Sequence, residues 1–318
     1  MAGAFANPGR FRPLLDEPVR GFINGQSEAL GFILRTLRRE GLGATFFVET
    51  LHAAYFGEET MRGPVEDIVS AQQDVELHIH PCWLTFQNGK PDLSHFVSDE
   101  CAEHPQERLV EFLARGKAQL KRWTGLDPVG FRTGGFSVNR AVYRAMREVG
   151  LRASSNICLA FAPPEEATLQ LAGGAHLIED VLEFPVTCFR DPGRMGPRRL
   201  RSLQITACAK WELRELLDAA HCQQQSHIVV VTHPFEFVKK DSDQYTRMTV
   251  NRINQQRFVY LCSYLAENSD RFDVVTLAEF AQTRPETVNE RPRELEGRVA
   301  SSLARSVQNV LNDRIWAL

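Results

Sequence analysis

What most constrains this chain is a change of period that recurs from Leu30 to Leu277. Short apolar runs of strand length alternate with longer stretches whose apolar residues fall three and four apart. Leu30, Ile33, Leu34 and Leu37 share one helical face, and Gly41 and Gly43 end that helix. Residues 44–48, β-branched and aromatic, then read as a buried strand. The pattern repeats with a helix at 64–73 opened by Pro64, a strand at 75–80, a helix at 106–123 closed by Gly125 and Pro128, and a strand at 129–133. Ser137 is placed to cap a helix at 138–149, which Gly150 ends. Strands follow at 151–155, 181–186, 203–207 and 227–232, with a helix at 211–221 between the last two. A helix at 252–267 precedes a final strand at 273–277.

Such alternation implies a parallel sheet with helices outside it. Strands in this number favour closure, so the expected fold is α/β, a distorted (β/α) barrel of about 7–8 parallel strands with an irregular or missing first strand. Function in such a barrel sits at the C-terminal strand ends. The expected organisation is an N-terminal segment at 1–25, the barrel at 26–283 and an amphipathic helical tail at 284–318. In that tail Leu295, Val299, Leu303, Val307, Val310, Leu311 and Ile315 share a helical face. The tail either packs across the barrel or pairs with another subunit as a homo-oligomer.

Bulk properties narrow the function classes. The 318 residues are 43% hydrophobic and 24% charged, as in ordinary globular proteins. A net charge of −3 and a pI of about 6.3 argue against a nucleic-acid or membrane-surface partner. No apolar run has the length of a membrane span, and residues 1–12 lack the apolar core of a signal peptide, so a cytoplasmic location is expected. The seven cysteines are scattered and never form C-x-x-C, which argues against a disulfide framework and a thiolate zinc site. Residues 190–201 carry Arg190, Arg194, Arg198, Arg199 and Arg201 and read as a solvated basic loop.

Three motifs carry chemistry. In Glu76-Leu77-His78-Ile79-His80-Pro81, residues two apart point to one face of a strand, so His78 and His80 project together where Pro81 ends it. Two adjacent imidazoles at a strand end form a metal platform, with Leu77 and Ile79 turned to the helices. His233, between residues 227–232 and Pro234, stands where a general acid or base is useful. Arg132, before Gly134, Gly135 and Phe136, is placed to clamp a carboxylate, and the two glycines let backbone approach a ligand. Trp83, Phe86 and Phe136 read either as an aromatic sugar platform or as core and rim residues.

In this order, the motifs resemble those of the NodB-like polysaccharide deacetylases, carbohydrate esterase family 4, in a His-x-His-Pro subgroup. Residues 43–48, 76–81, 131–135, 183–186 and 230–234 carry the resemblance, which covers residues 25–282. The resemblance implies hydrolysis of an N-acetyl group on a sugar or related amide, with a divalent metal, zinc foremost, as cofactor. It makes His78 and His80 metal ligands, Arg132 the residue that orients the base, and His233 the general acid. Two departures stand out. The histidines lie two apart where the family spaces them four apart, which leaves open which of them is the ligand. The family's Asp-Asp pair has only Asp16 and Glu17 as counterparts, Asp16 as base and Glu17 as ligand, after a stretch at 11–15 that Pro13 interrupts. Either those two serve, or the first acidic strand is missing and the fold is a non-catalytic or truncated member.

Overall fold

The computed structural model describes residues 16–87, 90–91, 96–192, 199–243, 245–283, 288–289 and 291–315. Its main sheet holds β1 (Thr45–Glu49), β2 (Asp74–Ile79), β3 (Gly130–Thr133), β4 (Ala153–Ser154), β5 (His176–Ile178) and β6 (Val181–Glu183). The strand order is β1-β2-β3-β4-β6-β5, parallel throughout except for the β5–β6 hairpin. A smaller sheet joins β7 (Cys188–Asp191), β8 (Arg199–Ser202) and β9 (Leu295–Glu296) in the order β8-β7-β9.

Besides a single helical turn at Ala53–Phe56, the helices are α1 (Leu30–Glu40), α2 (Arg62–Ser70), α3 (Gln106–Thr124), α4 (Arg140–Glu148), α5 (Lys210–Cys222), α6 (Arg252–Glu267), α7 (Leu277–Thr283) and α8 (Val299–Arg314). α3 packs on β2 so closely that a Cβ at Gly116 would lie 3.0 Å from Leu77 and 3.1 Å from Ile79. Leu77 and Ile79 therefore face the helices, and the alternate residues of β2 face the other way. Among the described residues no helix is long and apolar enough to cross a membrane.

Five expectations need correction. Residues 203–207 are a helical turn (Ile205–Ala207) after β8, and 227–232 is extended chain with one bridge, Val231 to Gln204. Main-chain bonds reach this segment from Thr187 (N to Val229 O, 3.1 Å), Leu203 (accepting from Val231 N, 3.0 Å) and Ile205 (N to Val231 O, 3.4 Å), and pairing stops at that one bridge. Residues 273–277 do not form a strand: Thr276 and Glu279 cap each other, with Glu279 accepting from the Thr276 amide at 2.7 Å, and α7 starts there. Ser137 does not cap α4. Asn139 does, accepting from the Val142 amide at 3.2 Å, while Ser137 accepts from Ala102 N. The basic stretch is in part strand β8, with Arg190 paired to Glu294 and Arg201 to Asp191; Arg194 and Arg198 lie outside the described residues. Six cysteines are buried and Cys222 is exposed.

Candidate active site

The C-terminal edge of the main sheet brings together two of the three motifs, that of His78 and His80 and that of Arg132. In register, His78 sits between Glu49 of β1 and Arg132 of β3. The His78 and His80 rings are 4.9 Å apart and nearly perpendicular. Nδ1 of His78 lies 2.7 Å from the Arg132 carbonyl oxygen, and Nδ1 of His80 lies 2.9 Å from Asp99 Oδ2. Both partners are acceptors, so each Nδ1 carries a proton and points it at its partner. Burial, and then the nearby His80, push the His78 pKa down to about 3, which makes it a neutral imidazole at neutral pH.

Gly134 is required by His80. A Cβ there would lie 2.5 Å from His80 Nδ1 and 2.9 Å from the Ile79 carbonyl oxygen. The Gly134→Ala variant is expected to displace the imidazole and cost about 1–3 kcal/mol of stability. Thermal melts beside a metal titration check this, and a variant matching its parent in both would show that His80 does not depend on the glycine.

Arg132 is locked in place. Its Nε donates to Ser155 O at 2.9 Å and its Nη2 to Ser155 Oγ at 2.7 Å. Its guanidinium lies 4.3 Å from the Phe47 ring centroid and 5.5 Å from that of Phe136. Burial pulls its pKa down to about 10, so it stays cationic at neutral pH. The turn that brings Phe136 over it passes through φ +62° at Gly135 and +57° at Phe136, a left-handed conformation that is unfavourable for Phe.

His233 stands on another segment. Its Nδ1 is 2.8 Å from Glu236 Oε1, and its ring stacks on Phe235 at 4.9 Å. Glu236 is buried and also accepts from Thr232 Oγ1 at 2.7 Å and from Gln204. The carboxylate fixes Nδ1 as a donor and leaves Nε2 of a half-exposed imidazole for proton transfer.

Asp16 is largely exposed, with its carboxylate 3.7 Å from Arg20. Among the described residues no three His, Cys, Asp or Glu side chains are arranged to hold a metal. The expected strand at 11–15 lies outside the described residues. Trp83 joins Tyr55, Phe56 and Phe86 in an aromatic cluster beside the His80 turn.

Three acidic residues escaped the motif reading. Asp99 lies in a loop without period. Glu236 had a usable signal, the His-x-x-Glu spacing from His233. Glu49 ends β1, and its carboxylate accepts from Leu51 N (2.8 Å) and His52 N (3.0 Å), with His52 Nδ1 2.5 Å away. Burial alone would raise its pKa, but His52 and then His80 outweigh that and hold it below the usual carboxylate value.

No family model matches the chain, and no curated protein matches it. Solved structures do. A Mycobacterium smegmatis protein assigned as a polysaccharide deacetylase superposes with a TM-score of 0.50 at 17% identity, over 83% of this chain and 79% of its own. The chain has the polysaccharide deacetylase fold. A family 4 carbohydrate esterase from Streptomyces lividans, solved with acetate, aligns at 13% identity over 77% of this chain and 84% of its own, with a TM-score of 0.38. At such identities the likeness is one of fold, and the chemistry rests on this chain's residues.

Proposed function

We propose that this protein is a metal-dependent deacetylase that hydrolyses an N-acetyl group on a sugar or glycan precursor. The observation that carries this reading is the pair of adjacent imidazoles at one strand end, each held through Nδ1 so that Nε2 is the nitrogen turned to a ligand. His78 and His80 fit two positions around a divalent metal of the zinc class, and Asp99 and the Arg132 carbonyl fix their rings. Such an ion, when bound, polarises the acetyl carbonyl and lowers the pKa of a bound water.

Within this reading Arg132, immobile between Phe47 and Phe136, orients a carboxylate base. His233 donates its proton from Nε2 to the departing amine, with Glu236 stabilising the charged ring. Asp16 as base and Glu17 as third ligand belong to the proposal; the turn Asp16–Arg20 packs against Pro234–Phe237, just after His233. Gly134, Gly135, Phe136 and Trp83 form the substrate-facing rim. A cytoplasmic setting makes a soluble or lipid-linked precursor the substrate rather than an extracellular polymer.

A non-catalytic member of the same fold is the second reading, favoured by the lack of a third ligand beside His78 and His80 among the described residues. Elemental analysis of the purified chain and of Asp16→Ala separates the two. About one ion per chain, lost in the variant, together with release of acetate from N-acetylated sugars, supports the enzyme. A metal-free, inactive parent supports the second reading. His233→Ala is expected to keep the metal and slow turnover by roughly 10²–10⁴-fold; full activity in that variant removes His233 from the mechanism.

A further inference from the structure

Helix α8 lies on the protein with its polar side inward. Arg305 is 2% exposed and donates to both Glu212 and Asp191. Ser301 donates to Glu215 at 2.6 Å, and Arg257 of α6 reaches Gln308 at 3.0 Å and Asn309 at 2.8 Å. These contacts fix which side faces the body of the protein. The apolar side, carrying Val299, Leu303, Val307, Val310 and Leu311, faces outward, and these five side chains are 39–59% exposed. A contiguous apolar stripe of that length marks an interaction surface.

The spacing of the stripe indicates what covers it. When two copies of a helix pack antiparallel about a two-fold axis, residues equidistant from the midpoint meet. With the midpoint at Arg305, Leu303 meets Val307 of the second copy, Ala300 meets Val310, and Val299 meets Leu311. Every outward apolar position then finds an apolar partner. The antiparallel helix dipoles also attract. A pair of this length, with the rims beside it, buries on the order of 1,000 Å² in total, about the minimum for a specific interface.

We propose that α8 is the self-complementary interface of a two-fold symmetric dimer of this chain. The pairing is independent of the catalytic reading, since none of its residues belongs to the candidate site.

Sedimentation velocity on the full chain over a concentration range tests it, with circular dichroism to verify folding. The parent is expected to dimerise in the micromolar range. Leu303→Glu/Val307→Glu, at exposed positions, is expected to stay folded and weaken the dimer on the order of 100-fold or more. Val299→Glu is expected to weaken it by a similar factor, since in the antiparallel register Val299 meets Leu311. A parent that stays monomeric overturns the proposal, and binding of that monomer to phosphatidylglycerol vesicles through the same stripe would name a membrane as the occupant instead. A dimer that persists in Leu303→Glu/Val307→Glu overturns it as well, since the interface must then lie elsewhere.

Discussion

Alanine at His80 is expected to abolish metal binding and amide hydrolysis together, and alanine at His78 to do the same. Each ring has its Nδ1 committed, one to the main-chain carbonyl of Arg132 and one to Asp99, so each supplies a single nitrogen to the site. Loss of either leaves a single imidazole beside the proposed Glu17 carboxylate, a set that holds a divalent ion too weakly to survive purification. The effect on metal content is therefore near complete, from about one ion per chain to almost none. The outer partner separates loss of a ligand from loss of its support. Asp99→Asn keeps both imidazoles and is expected to weaken metal affinity by roughly 10–100-fold, since the His80 ring loses its charged acceptor. Elemental analysis, acetate release and a thermal melt on all three variants decide the matter. Unchanged metal stoichiometry in both alanine variants would remove this pair from the site.

How much of this was legible in the sequence depended on whether the signal was local. Helix α6 spans Arg252–Glu267, as its apolar period indicates, and β2 lies within one residue of its expected bounds. Both are set by patterns inside the segment. The stretches at 203–207 and 227–232 have equally good strand composition, but they meet each other only around the Gln204–Val231 bridge and meet Thr187, distant in sequence, by one main-chain bond, so no ladder forms. The site divides in the same way. His78 and His80 converge because strand geometry puts residues two apart on one face, and the parallel register then brings Arg132 beside them. Asp99 reaches His80 from a loop, and no periodicity could have placed it there. The tail shows a third case. Its apolar face was readable, but the direction of that face was not, because Arg305 finds Glu212 and Asp191 and draws the polar side inward.

Glu183→Ala is expected to destabilise the protein by about 3–5 kcal/mol, because it leaves buried donors without an acceptor. Glu183 is fully buried at the end of β6. Its carboxylate accepts from Ser154 Oγ, from Asn156 N at 2.9 Å and from Ile157 N at 3.0 Å. Asn156 in turn accepts from Thr133 N at 2.8 Å, so the network ties β6 to the end of β3, between Arg132 and Gly134. Burial pushes the Glu183 pKa above the ordinary 4.5, and the donors offset this only in part. A raised folded-state pKa means that the folded protein favours the protonated carboxyl. The resulting stability is complete below the unfolded value and is lost as pH rises from about 4.5 through the folded value. The parent should therefore weaken as pH climbs through that window. Glu183→Gln, which keeps the shape and a carbonyl acceptor but cannot ionise, should lack that slope and overtake its parent at the upper end. Urea unfolding of the parent and both variants at several pH values measures this. A Gln variant with the parental slope would mean that other groups set the pH dependence, and an Ala variant within 1 kcal/mol of the parent would mean that water reaches the Ser154, Asn156 and Ile157 donors once the carboxylate is gone.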